Sequence, residues 1–131
     1  MLIIAACADD RFGLRFNHRR QSRDRAVTED LLANFAPIRI HPDSADLFGL
    51  ENNVKADNAF LSLALDEDLC FVEDDSYLNH LDQISKIILY RWNRTYPRDM
   101  IFKFPGKWDL VESITLAGYS HETITREVYV R

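Results

Sequence analysis

The feature that most constrains this chain is its start. Residues 2–8 read Leu-Ile-Ile-Ala-Ala-Cys-Ala, an unbroken apolar run of strand length that stops abruptly at Asp9 and Asp10. A strand with one wet face alternates apolar and polar residues, whereas an unbroken run is covered on both faces, as in a parallel sheet. The rest of the chain must therefore supply helices for both sides of that strand. A length of 131 residues allows one such core and no second one, so a single domain over residues 1–131 is expected. With 47% hydrophobic and 28% charged residues, disorder and fibrous repeats are excluded. No apolar run reaches the ~18 residues of a membrane span, and no cationic segment precedes the first run. A cytoplasmic protein with no membrane partner is the expectation. Cys7 and Cys70 lie inside apolar runs and read as small buried hydrophobes rather than a disulfide framework.

The downstream pattern alternates strands and helices. The stretch from Asp9 to Ser22 is polar and reads as a loop. Ala26, Val27, Leu31, Leu32 and Phe35 then fall at helical spacing, and the helix must end before Pro37. A short strand over residues 38–40 follows. Ser44 is a candidate cap for a short helix through Phe48 to Gly49, and Val54 marks an edge strand. Asp57 suits the cap of a helix carrying Ala59, Phe60, Leu63 and Ala64, and residues 69–72 form a third buried strand. Tyr77, Leu78, Leu81 and Ile84 repeat at helical intervals. Strands are expected over residues 86–90, 99–104, 108–111 and 124–130, the last placing Ile124, Arg126, Val128 and Val130 on one face. The fold class is α/β: a mixed, mostly parallel central sheet flanked by helices, with a C-terminal antiparallel hairpin.

Charge is segregated along the chain. The net charge is −5, yet residues 11–25 carry six arginines against Asp24 alone, and residues 43–75 carry ten acids against Lys55 alone. Arginine outnumbers lysine twelve to four, and its planar fork suits carboxylate or phosphate pairing. Two readings stay open. The arginines bind an anionic ligand, or they clamp the acidic half of their own chain.

Several strings resemble dihydrofolate reductase in a shortened form. LIIAACADDRFGL is similar to that family's first strand and mobile loop. FVEDDSYLNHLDQISKIILYRW is similar to its cofactor-side strand, turn, helix and strand, and RDMIFKF, KWDLVES and YSHETITREVYVR are similar to its closing segments. The resemblance implies that family's fold, with a dinucleotide and a pterin bound at the strand ends. The chain departs from the pattern where chemistry is decided. Glu73, Asp74 and Asp75 stand where the family places a Gly-Gly turn against a diphosphate, and Asp43 follows the second strand where the family places a phosphate-holding Arg-Ser/Thr pair. Like charges ~4 Å apart cost on the order of 4 kcal/mol near a protein surface, so the coenzyme is expected to be repelled. Asp24 stands closest to the family's pterin-binding acid, and an N-cap or an ion pair is the competing role. The chain also resembles short bacterial proteins named ribonuclease Z. It has no His-x-His-x-Asp-His string, and its four histidines, His18, His41, His80 and His121, are scattered, so no metal site is expected.

The candidate ligand-binding residues form two polar groups. Arg15, Asn17, His18, Arg19, Arg20, Gln21, Ser22 and Arg23, with Asp24, make the densest constellation, suited to a phosphate, a nucleotide or a nucleic-acid end. Arg91, Trp92, Arg94 and Tyr96 interleave aromatics with arginines, as in base-stacking surfaces. His121, beside Ser120 and Glu122, joins the candidate ligand-binding residues; a general-base role has no visible partner in the sequence, and a turn or strand-edge role competes with it. The expected function is a reductase-like domain that has lost hydride transfer and binds an anionic small molecule or nucleotide. A residual NAD(P)H-dependent reductase or phosphodiester hydrolase is the alternative, as is a protein-interaction module docking a basic protein on the acidic segment. No catalytic residue and no cofactor is assigned.

Overall fold

A computed structural model of the chain describes residues 1–49 and 51–131. The N-terminal run is the central strand, β1 (Leu2–Ala8), of a seven-stranded sheet. The polar stretch after it contains two short strands, β2 (Gly13–Phe16) and β3 (Arg19–Arg20), followed by α1 (Arg25–Phe35). Next come β4 (Ile38–Ile40), α2 (Ala45–Phe48), β5 (Val54–Ala56), α3 (Phe60–Leu63) and β6 (Leu69–Phe71). A 3-10 segment over Asp75–Gln83 leads into β7 (Ile84–Arg91), and β8 (Met100–Ile101), β9 (Asp109–Ala117) and β10 (Thr123–Val130) complete the chain.

The large sheet runs β5-β4-β6-β1-β7-β10-β9. Its first five strands are parallel, and β10 and β9 add antiparallel to β7. The mixed, mostly parallel α/β sheet with a C-terminal hairpin is therefore the fold observed. Side-chain alternation along β1 divides the core into two layers. Ile4, Ala6 and Ala8 face Tyr77, Phe60 and Phe102, while Ala5 faces the layer of α1 with Val27, Leu31, Tyr90 and Ile124. On β10, Ile124, Arg126 and Val128 are buried, and Arg126 is held there by two bonds to Asp30, at 3.0 and 2.8 Å.

Four expectations are corrected. Residues 9–22 are no plain loop: β2 and β3 form a hairpin whose turn residues Asn17 and His18 both have positive φ, 52° and 62°, and β8 joins it in a small second sheet. That is the primed two-residue turn that matches strand twist. The helix expected from Tyr77 to Ile84 is 3-10, broken at His80, and Ile84 already belongs to β7. The strand expected over residues 99–104 shrinks to Met100–Ile101 because its partner is the short β2. The strand expected over residues 108–111 extends to Ala117, since every residue from Thr123 onward on β10 offers it a partner. Among the described residues no helix is long and apolar enough to cross a membrane.

Candidate functional site

Parallel strands in one sheet end on one side, and the crevice beyond their carboxyl ends is where open α/β sheets hold ligands. Here β1, β4, β6 and β7 end at Ala8, Ile40, Phe71 and Arg91, so Asp9, His41, Glu73 and Trp92 come to one rim. Two neighbouring recesses lie there, and they differ sharply.

The first recess, between the ends of β1, β6 and β7, is almost filled. It is lined by Cys7, Gln21, Ser22, Asp24, Glu73 and Trp92 among others, and about 20 Å³ remains, room for about one water. Asp24 is the hub of its outer wall. Its side chain caps α1 by accepting from the Ala26 amide at 2.9 Å, and it gathers the β9–β10 turn through the amides of Tyr119, Ser120 and His121 at 2.9–3.1 Å. Gly118 permits this wrapping: a Cβ there would stand 2.3 Å from the His121 carbonyl and 2.8 Å from Asp24 Oδ2. His121 Nδ1 lies 3.0 Å from Asp24 Oδ2. Burial favours the neutral acid, but bonds from Ala26, Tyr119, His121 and Ser120 outweigh it and hold the Asp24 carboxyl far below the usual range. Burial likewise raises the Cys7 thiol, and it pushes Cys70 up to about 12, so both are neutral and unpaired.

The arginine segment is largely committed to this wall. Arg20 grips Glu73 with two bonds, Nε at 2.6 Å and Nη2 at 2.9 Å, and also reaches Asp46 at 2.8 Å. Glu73 takes a third bond from the Ser44 hydroxyl, which is therefore diverted from capping α2. Arg23 joins Asp46 at 3.3 Å. Asp9, fully buried, accepts from the amides of Arg11, Gly13 and Tyr96 and from Gln21 Nε2. Its burial is outweighed by those bonds, so its carboxyl also lies below the ordinary range. Arg91 donates twice to the Asp9 carbonyl and once to Glu127. Trp92 is 3% exposed and stacks on His121 with centroids 4.5 Å apart. It has no open face for a base, which corrects the expected stacking role. Arg94 lies apart, its only side-chain bond among the described residues being 3.3 Å to the Ser120 carbonyl. Asn17 sits in the hairpin turn, tied by its amide to Asp99.

The second recess is open. About 330 Å³ lies between the ends of β4 and β6, lined by Arg15, His41, Ser44, Asn58, Ser62, Glu73, Asp74, Ser76, Asn79 and His80. Arg15 closes one side by donating to the Glu73 and His18 carbonyls, and it continues into an outer surface lined by His18, Arg19 and Asp43. Among the described residues Arg19 has no side-chain partner. Sequence reasoning missed His41, Asn58, Ser62, Ser76 and Asn79, which are separately unremarkable polar residues joined only by topology.

No protein-family model matches the chain, and no curated protein matches it. Among solved structures, a dihydrofolate reductase from Enterococcus faecalis, complexed with NADP(H) and RAB-propyl, superposes with a TM-score of 0.67. The match covers 100% of this chain and 96% of that one. The chain has the dihydrofolate reductase fold. Identity is 11%, so the likeness establishes architecture alone.

The matched reductase is complexed with NADP(H); in this chain the turn after β6 carries carboxylates, which do not suit a diphosphate. Asp74 Oδ1 already accepts from the Ser76 amide at 2.9 Å, so the chain's own carboxylate occupies the N-terminus of the 3-10 segment. Hydrogen bonds from Ser76 outweigh burial and keep Asp74 ionised, and Asp75 is exposed beside it. Among the described residues no group of three or more His, Cys, Asp or Glu side chains converges to hold a metal.

Proposed function

We propose that this is a non-reductase domain of dihydrofolate reductase fold that binds a small polar molecule carrying one anionic group, of mononucleotide size, in the open recess under the β2–β3 hairpin. The observation that carries this reading is the pairing of a 330 Å³ cleft, a ligand-sized volume, with Arg15 at its mouth and Arg19 uncommitted beside it. Arg20 is balanced by Glu73 and Asp46, so the cations left for a ligand are Arg15 and Arg19. Hydroxyls of Ser62 and Ser76 and amides of Asn58 and Asn79 line the opposite wall, suited to sugar or base edges. Asp43 and Asp74 on the same rim disfavour NADPH, whose linker and further phosphate together carry more negative charge than Arg15 and Arg19 balance, and leave room for one phosphate group.

The test is a thermal-shift titration with AMP, inorganic phosphate and NADPH. AMP should raise the melting temperature in a salt-sensitive way, by about 2.7 kcal/mol of stabilisation at a hundredfold excess over Kd, and Arg15→Ala with Arg19→Ala should abolish the shift. A shift with NADPH of several degrees, or none with any of the three at millimolar concentration, overturns the reading.

A further inference from the structure

The wall that closes the first recess contains a second chemical constellation, independent of the arginine cleft. Ser22, on the segment between β3 and α1, places Oγ 3.0 Å from His121 Nε2, and on the other side of the ring His121 Nδ1 is 3.0 Å from Asp24 Oδ2. Asp24 is ionised and can only accept, so Nδ1 carries the ring proton and Nε2 is left as an acceptor facing two hydroxyls, Ser22 Oγ and Tyr96 Oη, each at 3.0 Å. The imidazole is 3% exposed, fixed in plane by stacking on Trp92, and the carboxylate that orients it is tied down by four backbone amides. Ser22 itself is only half-buried. Its neighbour Gln21 lines both the filled recess and an outer pocket of about 280 Å³ formed with Arg19, Arg20 and Tyr96. Nucleophile on base and base on buried carboxylate, each at hydrogen-bond distance, is the geometric signature of an activated serine.

We infer that Ser22, His121 and Asp24 form a nucleophile, base and orienting carboxylate that hydrolyse a small carboxylic ester. The Ser22 hydroxyl attacks the ester carbonyl carbon, forming an Oγ–C bond as its proton passes to His121 Nε2, while Asp24 stabilises the imidazolium. Collapse breaks the bond to the leaving alcohol, which takes the proton from Nε2. Water then attacks the acyl carbon, gives a proton to Nε2 and releases the carboxylic acid, and Ser22 Oγ recovers its proton. Tyr96 Oη lies 3.0 Å from Nε2 and donates to Ser22 Oγ at 3.5 Å, which holds the serine oxygen beside the base.

The experiment is labelling of the full chain with a fluorophosphonate, read by intact mass and peptide mapping, together with the initial burst on 4-nitrophenyl acetate. One adduct on Ser22 is expected, absent in Ser22→Ala and unchanged in Ser113→Ala, which alters a serine on the exposed strand β9. Asp24→Asn, where circular dichroism shows it folded, should slow adduct formation by ~100-fold or more. Ser22→Cys keeps a nucleophile in place and should retain an acetyl burst, giving a second readout should Asp24→Asn fail to fold. No adduct on the folded wild type, labelling as fast in folded Asp24→Asn as in wild type, or no acetyl burst with Ser22→Cys would each reduce the constellation to a structural clasp.

Discussion

The two recesses at the strand ends share Phe71 and Glu73 and differ in almost everything else. One is packed to about 20 Å³ and its carboxylates are bonded within the chain; the other holds about 330 Å³ and is lined by hydroxyls, amides and Arg15, with Arg19 on the adjoining outer surface. A buried charge costs several kcal/mol unless it is paired and hydrogen-bonded, so the closed recess can exist only because Asp9, Asp24 and Glu73 are each saturated. Carboxylates bound that tightly are poor ligand contacts. The open recess has no such constraint, and its stability is not tied to what fills it.

The largest expected effect falls on the closed side. Asp24→Ala removes the acceptor for α1, for the β9–β10 turn and for His121 together, and should cost ~3–5 kcal/mol in chemical denaturation. A loss below about 1 kcal/mol would show that the clasp is not what holds this wall. Acid acts on the same group. Its carboxyl is depressed in the folded state, so its contribution is complete above about pH 5 and is lost as pH falls through the unfolded value toward the folded one. Unfolding free energy should be flat from about pH 7 to 5 and then drop, and in Asp24→Asn the acid limb should be shallower.

Smaller is the effect of Arg20→Ala, which strands Glu73 against the sheet edge and should cost ~1–3 kcal/mol, partly restored by adding Glu73→Gln. If the double variant is no more stable than the single one, the pair is not coupled. The smallest change is expected for Arg19→Ala on the open side, within ~0.5 kcal/mol of wild type in stability but with weakened AMP binding. A large stability loss there would erase the contrast between the recesses.

What was readable in the sequence follows from range. The unbroken run of β1, the strand at residues 69–72 and the helix before Pro37 are local patterns, and each lies where hydrophobic periodicity puts it. The β2–β3 hairpin was not legible, because Arg15, Arg19 and Arg20 give no apolar alternation and only Asn17 and His18 carry a turn signal. Charge segregation left open whether the arginines face a ligand or the acidic half. Arg20 and Arg23 take the second course, while among the described residues Arg19 pairs with no acid, a division set by where β4 and β6 end. The partner of His121 lies 97 residues away in Asp24, beyond any spacing rule, and it meets that partner only because β10 returns beside β7. Glu73 was read as a bare charge repelling a coenzyme; it is paired with Arg20, and the repulsion rests on Asp74 and Asp75.

The crevice between the ends of β1, β6 and β7 is nearly filled by the chain itself, and the proposed anionic ligand is expected in the neighbouring recess instead. Backbone NMR shift mapping during AMP titration addresses it directly. Changes concentrated at Arg15, Arg19, Ser76 and Asn79, with Cys7, Val27 and Trp92 unmoved, are predicted; perturbation centred on Cys7, Val27 and Trp92, or saturable changes with NADPH at residues 73–75, would contradict it.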